Sequence, residues 1–124
     1  MAVMQNYAEL LFTDAVKAYQ EQVGMREKYE SIYANRHRGP LDDDTIAFLS
    51  GMTSFYIATT GSNGWPYIQH RGGPAGFVKI LGPDTIGFAD YLGNRQFITR
   101  GNLDGSDRVS LFFMDYARRA RLKM

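Results

Sequence analysis

The chain has 124 residues, of which 44% are apolar, and its formal net charge is +1; these values suit one folded domain and give no reason to expect a nucleic acid or an anionic membrane as partner. With no cysteine and only two histidines, disulfides and thiol chemistry are excluded and a protein-bound metal ion is disfavoured. No apolar stretch approaches the ~20 residues that span a bilayer, and the polar N-terminus does not resemble a signal peptide, so we expect a cytoplasmic protein.

Residues 1–50 are predicted to form a helical segment that packs on the rest of the domain. Large apolar side chains recur at helical spacing, first at Phe12, Val16, Tyr19 and Val23 and then at Met25, Tyr29, Ile32 and Tyr33. Gly24 is a stop signal between these two helices. The stretch NRHRGP over residues 35–40 is predicted to be a loop. The three aspartates at residues 42–44 then offer a cap and favourable charge for a short helix through Leu49.

Residues 51–124 are predicted to be mainly β-structure. Strands are expected over residues 54–60, 66–71, 76–80, 85–89 and 108–115, because these stretches are rich in β-branched and aromatic residues. The sequences GSNG and GPD between them are typical of tight turns. A short helix is expected within residues 94–102. Short strands joined by tight turns predict a small antiparallel barrel, so the fold class is α+β, mainly β with N-terminal helices.

The sequence ARRARLKM at the end of the chain is predicted to be a further strand. Arg119, Arg121 and Lys123 alternate there, as on the outward face of a strand. We interpret them as solvated side chains and not as a nucleic-acid patch. A last strand without a neighbour leaves an open sheet edge, so either a partner chain covers it or the chain is a fragment of a longer protein, which we favour.

The sequence GNRQF at residues 93–97 is the first candidate binding element. Gly93 permits close approach of the backbone, Asn94 is a good helix cap, and Arg95 adds a forked cation at the expected helix start. Free amides, the helix dipole and an arginine together favour a phosphate. Helix capping next to a solvated charge explains the same residues without a ligand.

The sequence QHRGGPAGFVKI at residues 69–80 is the second candidate. Its glycines and proline interrupt a run of strands, which marks a bend or a close approach of the backbone. In one interpretation residues 72–76 are a β-bulge, with Arg71 and Lys79 facing water. In the other, the bare backbone lies against a flat ligand that Arg71 and Lys79 anchor. A planar, phosphorylated cofactor would satisfy both candidate elements.

Four motifs give these elements a family resemblance. The sequences HRGGPAGFV (70–78), FADYLGNRQ (88–96), GNL (101–103) and MDYARRARLK (114–123) resemble the flavin-nucleotide-binding proteins related to pyridoxamine 5′-phosphate oxidase. The resemblance extends from Ser54 to the C-terminus. It implies an FMN-binding split barrel that works as a homodimer, with the flavin at the subunit interface.

The resemblance also implies which residues hold FMN. The strand along the flavin corresponds to Gln69, His70, Arg71, Gly72, Phe77, Val78 and Lys79. The loop that clasps the phosphate corresponds to Asp90, Tyr91, Gly93, Asn94, Arg95 and Gln96. No catalytic residue is assigned.

Three features depart from the oxidases proper. The segment GGPAG is inserted, Gly-Asn-Arg replaces a Ser-Arg-Lys-like clasp, and the C-terminal segment that contributes flavin and substrate contacts is missing. These departures argue against pyridoxamine phosphate oxidation itself. The prediction is therefore an FMN-dependent oxidoreductase with an unknown small substrate. The alternatives are a non-catalytic flavin carrier or sensor, and a split-barrel protein that binds haem or deazaflavin.

Overall fold

A computed structural model describes residues 7–34, 36 and 40–124. Most of the loop predicted over residues 35–40, including His37, lies outside the described residues. The helices and strands are α1 (Tyr7–Leu11), α2 (Asp14–Gln22), α3 (Arg26–Ala34), α4 (Asp43–Ser50), β1 (Ser54–Thr60), β2 (Pro66–Gly72), β3 (Lys79–Gly82), β4 (Thr85–Gly87), α5 (Ile98–Gly105), β5 (Ser110–Asp115) and β6 (Ala120–Lys123).

The chain divides into two compact units after Pro40. Helix α4 therefore belongs to the second unit, Leu41–Met124, whereas the sequence grouped it with the N-terminal helices. Two contacts explain the difference. Leu49 of α4 is fully buried in the core of the second unit, and the amide of Leu41 donates to the carbonyl of Pro83 at 2.6 Å.

The first unit contains α1, α2 and α3, and aromatic contacts join α3 to α1 and to the segment between α1 and α2. The ring of Phe12 meets the rings of Tyr29 and Tyr33 edge to face, with centroids 6.0 and 5.2 Å apart. The hydroxyl of Thr13 caps α2 by accepting from the amide of Val16. Phe12 thus precedes the helix, and the prediction that it shares a helical face with Val16 is wrong.

Gly24 ends α2, as the sequence predicts. Its φ of +70° is a conformation that glycine adopts without the strain of a Cβ atom. The amide of Met25 donates to the carbonyl of Gln20, and the amide of Gly24 donates to that of Glu21. This pair of bonds is a Schellman motif, which satisfies the last carbonyls of the helix.

The second unit contains two antiparallel sheets. One has four strands in the order β2-β1-β5-β6, and the other consists of β3 and β4. Helices and antiparallel sheets together confirm the predicted α+β class. The described strands close no barrel. The predicted last strand is β6, which lies at an edge with Arg121 and Lys123 exposed; Arg119 lies in the preceding turn, with φ at +53°.

The two sheets share one hydrophobic core. Phe55 of β1 is almost fully buried, and its ring lies 4.9 Å from Phe113 of β5. On the other side it contacts Phe88 at 4.9 Å and Phe77 at 5.8 Å, on the segments that flank β3 and β4. The buried core residues are Leu49, Met52, Phe55, Ile57, Val78, Leu111 and Phe113. The cap of α4 forms as predicted, with Asp42 accepting from the amide of Thr45.

Candidate functional site

The inner face of β2 carries polar side chains instead of apolar ones. Tyr67, Gln69 and Arg71 are partly buried, and the residues between them are exposed. The antiparallel register places Arg71 opposite Phe55 of β1, on the same face of the sheet as the core. The core-facing side of β2 therefore carries an arginine where an apolar side chain would continue the core. This makes the edge of the sheet polar.

Arg71 is the most buried cation of this site. Its side chain is 16% exposed, and its Nη1 donates to Oδ1 of Asp90 at 2.5 Å, where the aspartate is 54% exposed. The guanidinium also lies 5.8 Å from the ring centre of Phe88. Its Nε is buried and has no hydrogen-bond partner. Every other buried side-chain nitrogen or oxygen in the described residues has one. A buried N–H of this kind is costly unless a further group accepts from it.

Two side-chain hydrogen bonds fix α5 against this face. Thr99 donates from Oγ1 to Oε1 of Gln69 at 2.8 Å, and Asn102 donates from Nδ2 to Oγ1 of Thr59 at 2.9 Å. Both threonines are buried, so these bonds satisfy polar atoms that water does not reach. They place Arg100 at the start of α5 beside the site, where its Nη1 bonds to Asp104 at 2.6 Å.

The turn before α5 differs from the prediction. The helix begins at Ile98 and not at Arg95 after a cap at Asn94, and Asn94 instead accepts from the amide of Gln96 at 3.1 Å. Gly93, Arg95 and Phe97 have φ of +53, +62 and +57°. Left-handed conformations are uncommon for arginine and phenylalanine, and each costs about 1–3 kcal/mol unless the surroundings enforce it.

A cavity of about 170 Å³ lies between β2, the end of β4 and this turn. Ten residues of the predicted FMN site line it: Gln69, His70, Arg71, Gly72, Phe77, Asp90, Tyr91, Gly93, Asn94 and Gln96. The two candidate elements, separated along the chain, therefore lie against the same space. We name this space the Arg71 cavity.

The other three predicted residues lie elsewhere. Val78 is buried in the hydrophobic core. Lys79 lines a second hollow of about 500 Å³, which shares Phe77, Phe88, Ala89 and Tyr91 with the Arg71 cavity. Arg95 lines neither of these two spaces. The cation that the turn region contributes to the Arg71 cavity is Arg100 instead.

Several residues that line the Arg71 cavity were not predicted. They are Tyr67, Phe88, Ala89, Leu92, Phe97, Ile98, Thr99 and Arg100. The alternation of side chains along β2 could have indicated Tyr67 as a lining residue, because Tyr67 shares a face of the strand with Gln69 and Arg71. Nothing in the local pattern indicates the later helix start that brings in Thr99 and Arg100.

The glycine-rich bend packs against the protein itself at Gly73. A Cβ atom there would lie 2.7 Å from Cγ of Phe77, so the side chain that approaches this backbone is Phe77. The bend is a turn between two sheets and not a bulge within one strand, with the amide of Phe77 donating to the carbonyl of Pro74. The prediction that a ligand approaches the backbone therefore does not apply at Gly73.

The outer face of the same sheet carries an aromatic cluster. His70 lies directly opposite Tyr56 on β1, and their rings meet edge to face with centroids 5.5 Å apart. A hydrogen bond with Tyr56 raises the pKa of Tyr116 above its ordinary value, with smaller contributions from charge interaction and burial.

Among the described residues, no group of histidine and acidic side chains could hold a metal ion, and no helix there is long and apolar enough to cross a membrane.

The second unit is thus an α+β unit with a polar, arginine-containing cavity at the edge of its larger sheet. No protein-family model matches the chain, and it matches no curated protein and no solved structure.

Proposed function

We propose that the second unit binds FMN in the Arg71 cavity and that the protein is a homodimeric, flavin-dependent oxidoreductase with a small-molecule substrate. The observation that carries this proposal is the convergence of residues 69–72 and 90–96 on one cavity. The sequence resemblance assigns FMN to these two segments. We also propose that the two sheets are the parts of a split barrel, since Phe55 of the larger sheet packs against Phe77 and Phe88, on the segments that flank the smaller one.

One end of the cavity suits the ring of a flavin. The buried Nε of Arg71 has a hydrogen atom and no acceptor, and a flavin ring offers carbonyl and nitrogen acceptors. Tyr67, Phe77 and Phe88 add aromatic surface to the same lining. Aromatic walls with few, well-placed donors are typical of cofactor sites.

The other end suits a phosphate. In the turn, the amides of Arg95 and Gln96 already donate to the carbonyl of Leu92 and to Oδ1 of Asn94, so the phosphate would lie at the start of α5. Arg100 lies in the lining beside the first turn of α5. The positive end of the helix dipole and the guanidinium both favour a negatively charged group there.

The exposed apolar rim of the cavity indicates that a single chain provides only part of the site. Exposed apolar side chains, including Tyr91, Leu92 and Phe97, lie on its rim. A second copy that covers this rim would complete the site and bury the apolar surface.

Bound FMN would supply hydride and electron transfer, the chemistry that the protein's own groups do not provide. The protein would bind the phosphate, orient the ring and set the charge around it. We propose the pair of Arg71 and Asp90 for the last role, because its net charge beside the ring decides how well the negative charge of the reduced cofactor is stabilised. The predicted cytoplasmic location stays a prediction.

An FMN titration tests the proposal, with the visible spectrum of the purified protein as a first measurement. We expect flavin absorbance bands and uptake of FMN by the apoprotein. Ala89→Trp should block uptake, because Ala89 lines both hollows. Ala117→Trp is the matched control, since Ala117 is exposed and lines neither space. Wild-type protein that takes up no FMN would refute the proposal.

Turnover distinguishes an enzyme from a carrier or sensor. Oxidation of a reduced nicotinamide that increases with added electron acceptor supports an oxidoreductase. Tight flavin binding without turnover supports a carrier or sensor. An intense, sharp band at shorter wavelength would indicate haem, and failure of FMN together with uptake of a deazaflavin would indicate the remaining alternative.

A further inference from the structure

We infer that Asp90 determines the charge and the ligand specificity of the part of the Arg71 cavity that would hold the flavin ring. By neutralising Arg71, Asp90 leaves one N–H for an uncharged acceptor. It also lowers the reduction potential of the bound flavin. This inference rests on the proposed FMN site. It concerns a residue that the resemblance assigns only to the loop around the phosphate.

The first step is the geometry of the pair. Asp90 accepts from Nη1 of Arg71 at 2.5 Å, across 19 positions of the chain. The pair thereby joins β2 to the segment after β4 at the wall of the cavity. With Nη1 bound to the carboxylate and the guanidinium against Phe88, the orientation of the whole fork is fixed, and Nε is left as its buried donor without a partner.

The second step is electrostatic. The Arg71 side chain is 16% exposed, so removing its counter-ion would leave a largely buried, uncompensated cation, which is strongly unfavourable unless another anion replaces it. While Asp90 is in place, the pair has no net charge. An anionic group of a ligand would gain little at Arg71 and would meet repulsion from the carboxylate. An uncharged ring acceptor meets no such repulsion.

The third step is a comparison with the other ion pair of the cavity. Arg100 and Asp104 have nearly the same contact, 2.6 Å, but their side chains are 60% and 68% exposed. Solvent screens an exposed pair and leaves it worth little. Arg100 can therefore exchange Asp104 for an anion of a ligand at little cost, whereas the largely buried Arg71 holds Asp90. The two arginines give the cavity a neutral end and a cationic end.

The test compares two isosteric variants with the same change in charge, Asp90→Asn and Asp104→Asn. The binding of riboflavin and of FMN and the midpoint potential of bound flavin are measured for each. For Asp90→Asn we expect reduced flavin to gain about tenfold in affinity over oxidised flavin, which raises the potential by about 30 mV for a two-electron couple. The affinities for FMN and riboflavin should change by the same factor, because riboflavin lacks only the phosphate.

For Asp104→Asn we expect the opposite pattern. The affinity for FMN should rise relative to that for riboflavin, and the potential should stay at the wild-type value. The double variant Arg71→Gln/Asp90→Asn has the same balance of charge as the wild type and should restore its potential. If Asp90→Asn does not fold, Arg71→Gln changes the net charge of the pair in the opposite direction. The unpaired carboxylate of Asp90 should then lower the potential of the bound flavin.

Two results would overturn the inference while leaving FMN binding intact: an unchanged potential in a folded Asp90→Asn variant, or a change in its ratio of FMN to riboflavin affinity that exceeds the change in Asp104→Asn. A wild-type protein that binds neither flavin would overturn the proposed function and this inference together. The outcomes are distinct, because the first two require flavin bound to the wild type.

Discussion

The ring of Phe77 lies directly over Gly73, where it occupies the space that a side chain would need. A Cβ atom at Gly73 would lie 2.7 Å from Cγ and 2.8 Å from Cβ of Phe77. The ring cannot easily move away, because its other side stacks on Phe55 at 5.8 Å and Phe55 is almost fully buried. Glycine at position 73 is therefore a requirement of core packing, and it fixes the path from β2 to β3 along the cavity.

Gly73→Ala should consequently destabilise the protein. Forcing an extra methyl group into a packed core costs about 1–3 kcal/mol, measured as the free energy of unfolding in urea. Gly101→Ala is the control, because Gly101 lies inside α5 with no other atom within 4 Å of the added Cβ. It should stabilise the protein by about 0.5–1 kcal/mol. Equal effects of the two variants would contradict the packing of Phe77 on Gly73.

Thr99→Val tests the bond that positions α5. The change keeps the shape of the side chain but leaves the carbonyl oxygen of Gln69 without its buried donor, which should cost about 1–3 kcal/mol. Thr85→Val is the matched control, since that hydroxyl makes a 2.9 Å bond to Asp84 in an exposed turn. The control should change stability by less than about 0.5 kcal/mol. A Thr99→Val variant as stable as the control would show that this bond does not hold the helix.

The sequence predicted β1 and β2 almost to the residue, because alternation and a glycine-containing turn both mark them. It placed the start of α5 too early, because Arg95 and Phe97 adopt left-handed conformations that their own preferences oppose. Local propensity points to Asn94 as a cap, and the contacts of residues distant in sequence override it. The strain is visible only once the chain is folded.

The candidate site was predictable as two segments but not as a set of side chains. Neighbours in a strand point to opposite faces, yet the motif assigned Val78 and Lys79 together. The structure puts Val78 in the core and Lys79 on the second hollow. The bond from Thr99 to Gln69 spans 30 positions, and no local pattern reports a contact of that kind.

Arg100→Ala and Arg95→Ala should affect FMN binding differently. The sequence assigned the phosphate to Arg95, but Arg100 is the arginine that lines the cavity beside α5. Solvent screens a contact of an arginine that is 60% exposed and leaves it worth about 0.2–1 kcal/mol, so Arg100→Ala should weaken FMN binding by up to about fivefold in a fluorescence titration. Arg95→Ala should weaken it less. A larger effect of Arg95→Ala would restore the assignment made from the motif.

Tyr116 should ionise at a higher pH than an ordinary tyrosine, because its hydrogen bond with Tyr56 favours the protonated hydroxyl. A folded-state pKa above the unfolded value means that the contribution to stability is complete below the ordinary pKa and is lost as the pH rises through the raised one. NMR titration of ¹³Cζ-labelled tyrosine measures the shift. Tyr56→Phe should return the pKa of Tyr116 towards its ordinary value, and an unchanged titration would disprove the role of this bond.

The apolar rim of the Arg71 cavity should be a contact between two copies of the chain. Leu92 is 65% exposed and lines the cavity, a cost that burial against a partner would remove. Leu92→Asp places a charge in that contact and should convert the expected dimer to a monomer in sedimentation velocity.

Trp65→Asp distinguishes this contact from non-specific association through exposed apolar side chains. Trp65 is 74% exposed, in the turn between β1 and β2, and does not line the cavity. The dimer should persist in this variant with its FMN affinity unchanged, whereas Leu92→Asp should lose FMN affinity together with the dimer, because the second copy covers the rim of the site. A monomeric Leu92→Asp protein with undiminished FMN affinity would show that one chain completes the site alone, and a wild-type monomer would place the exposed leucine outside any contact between copies.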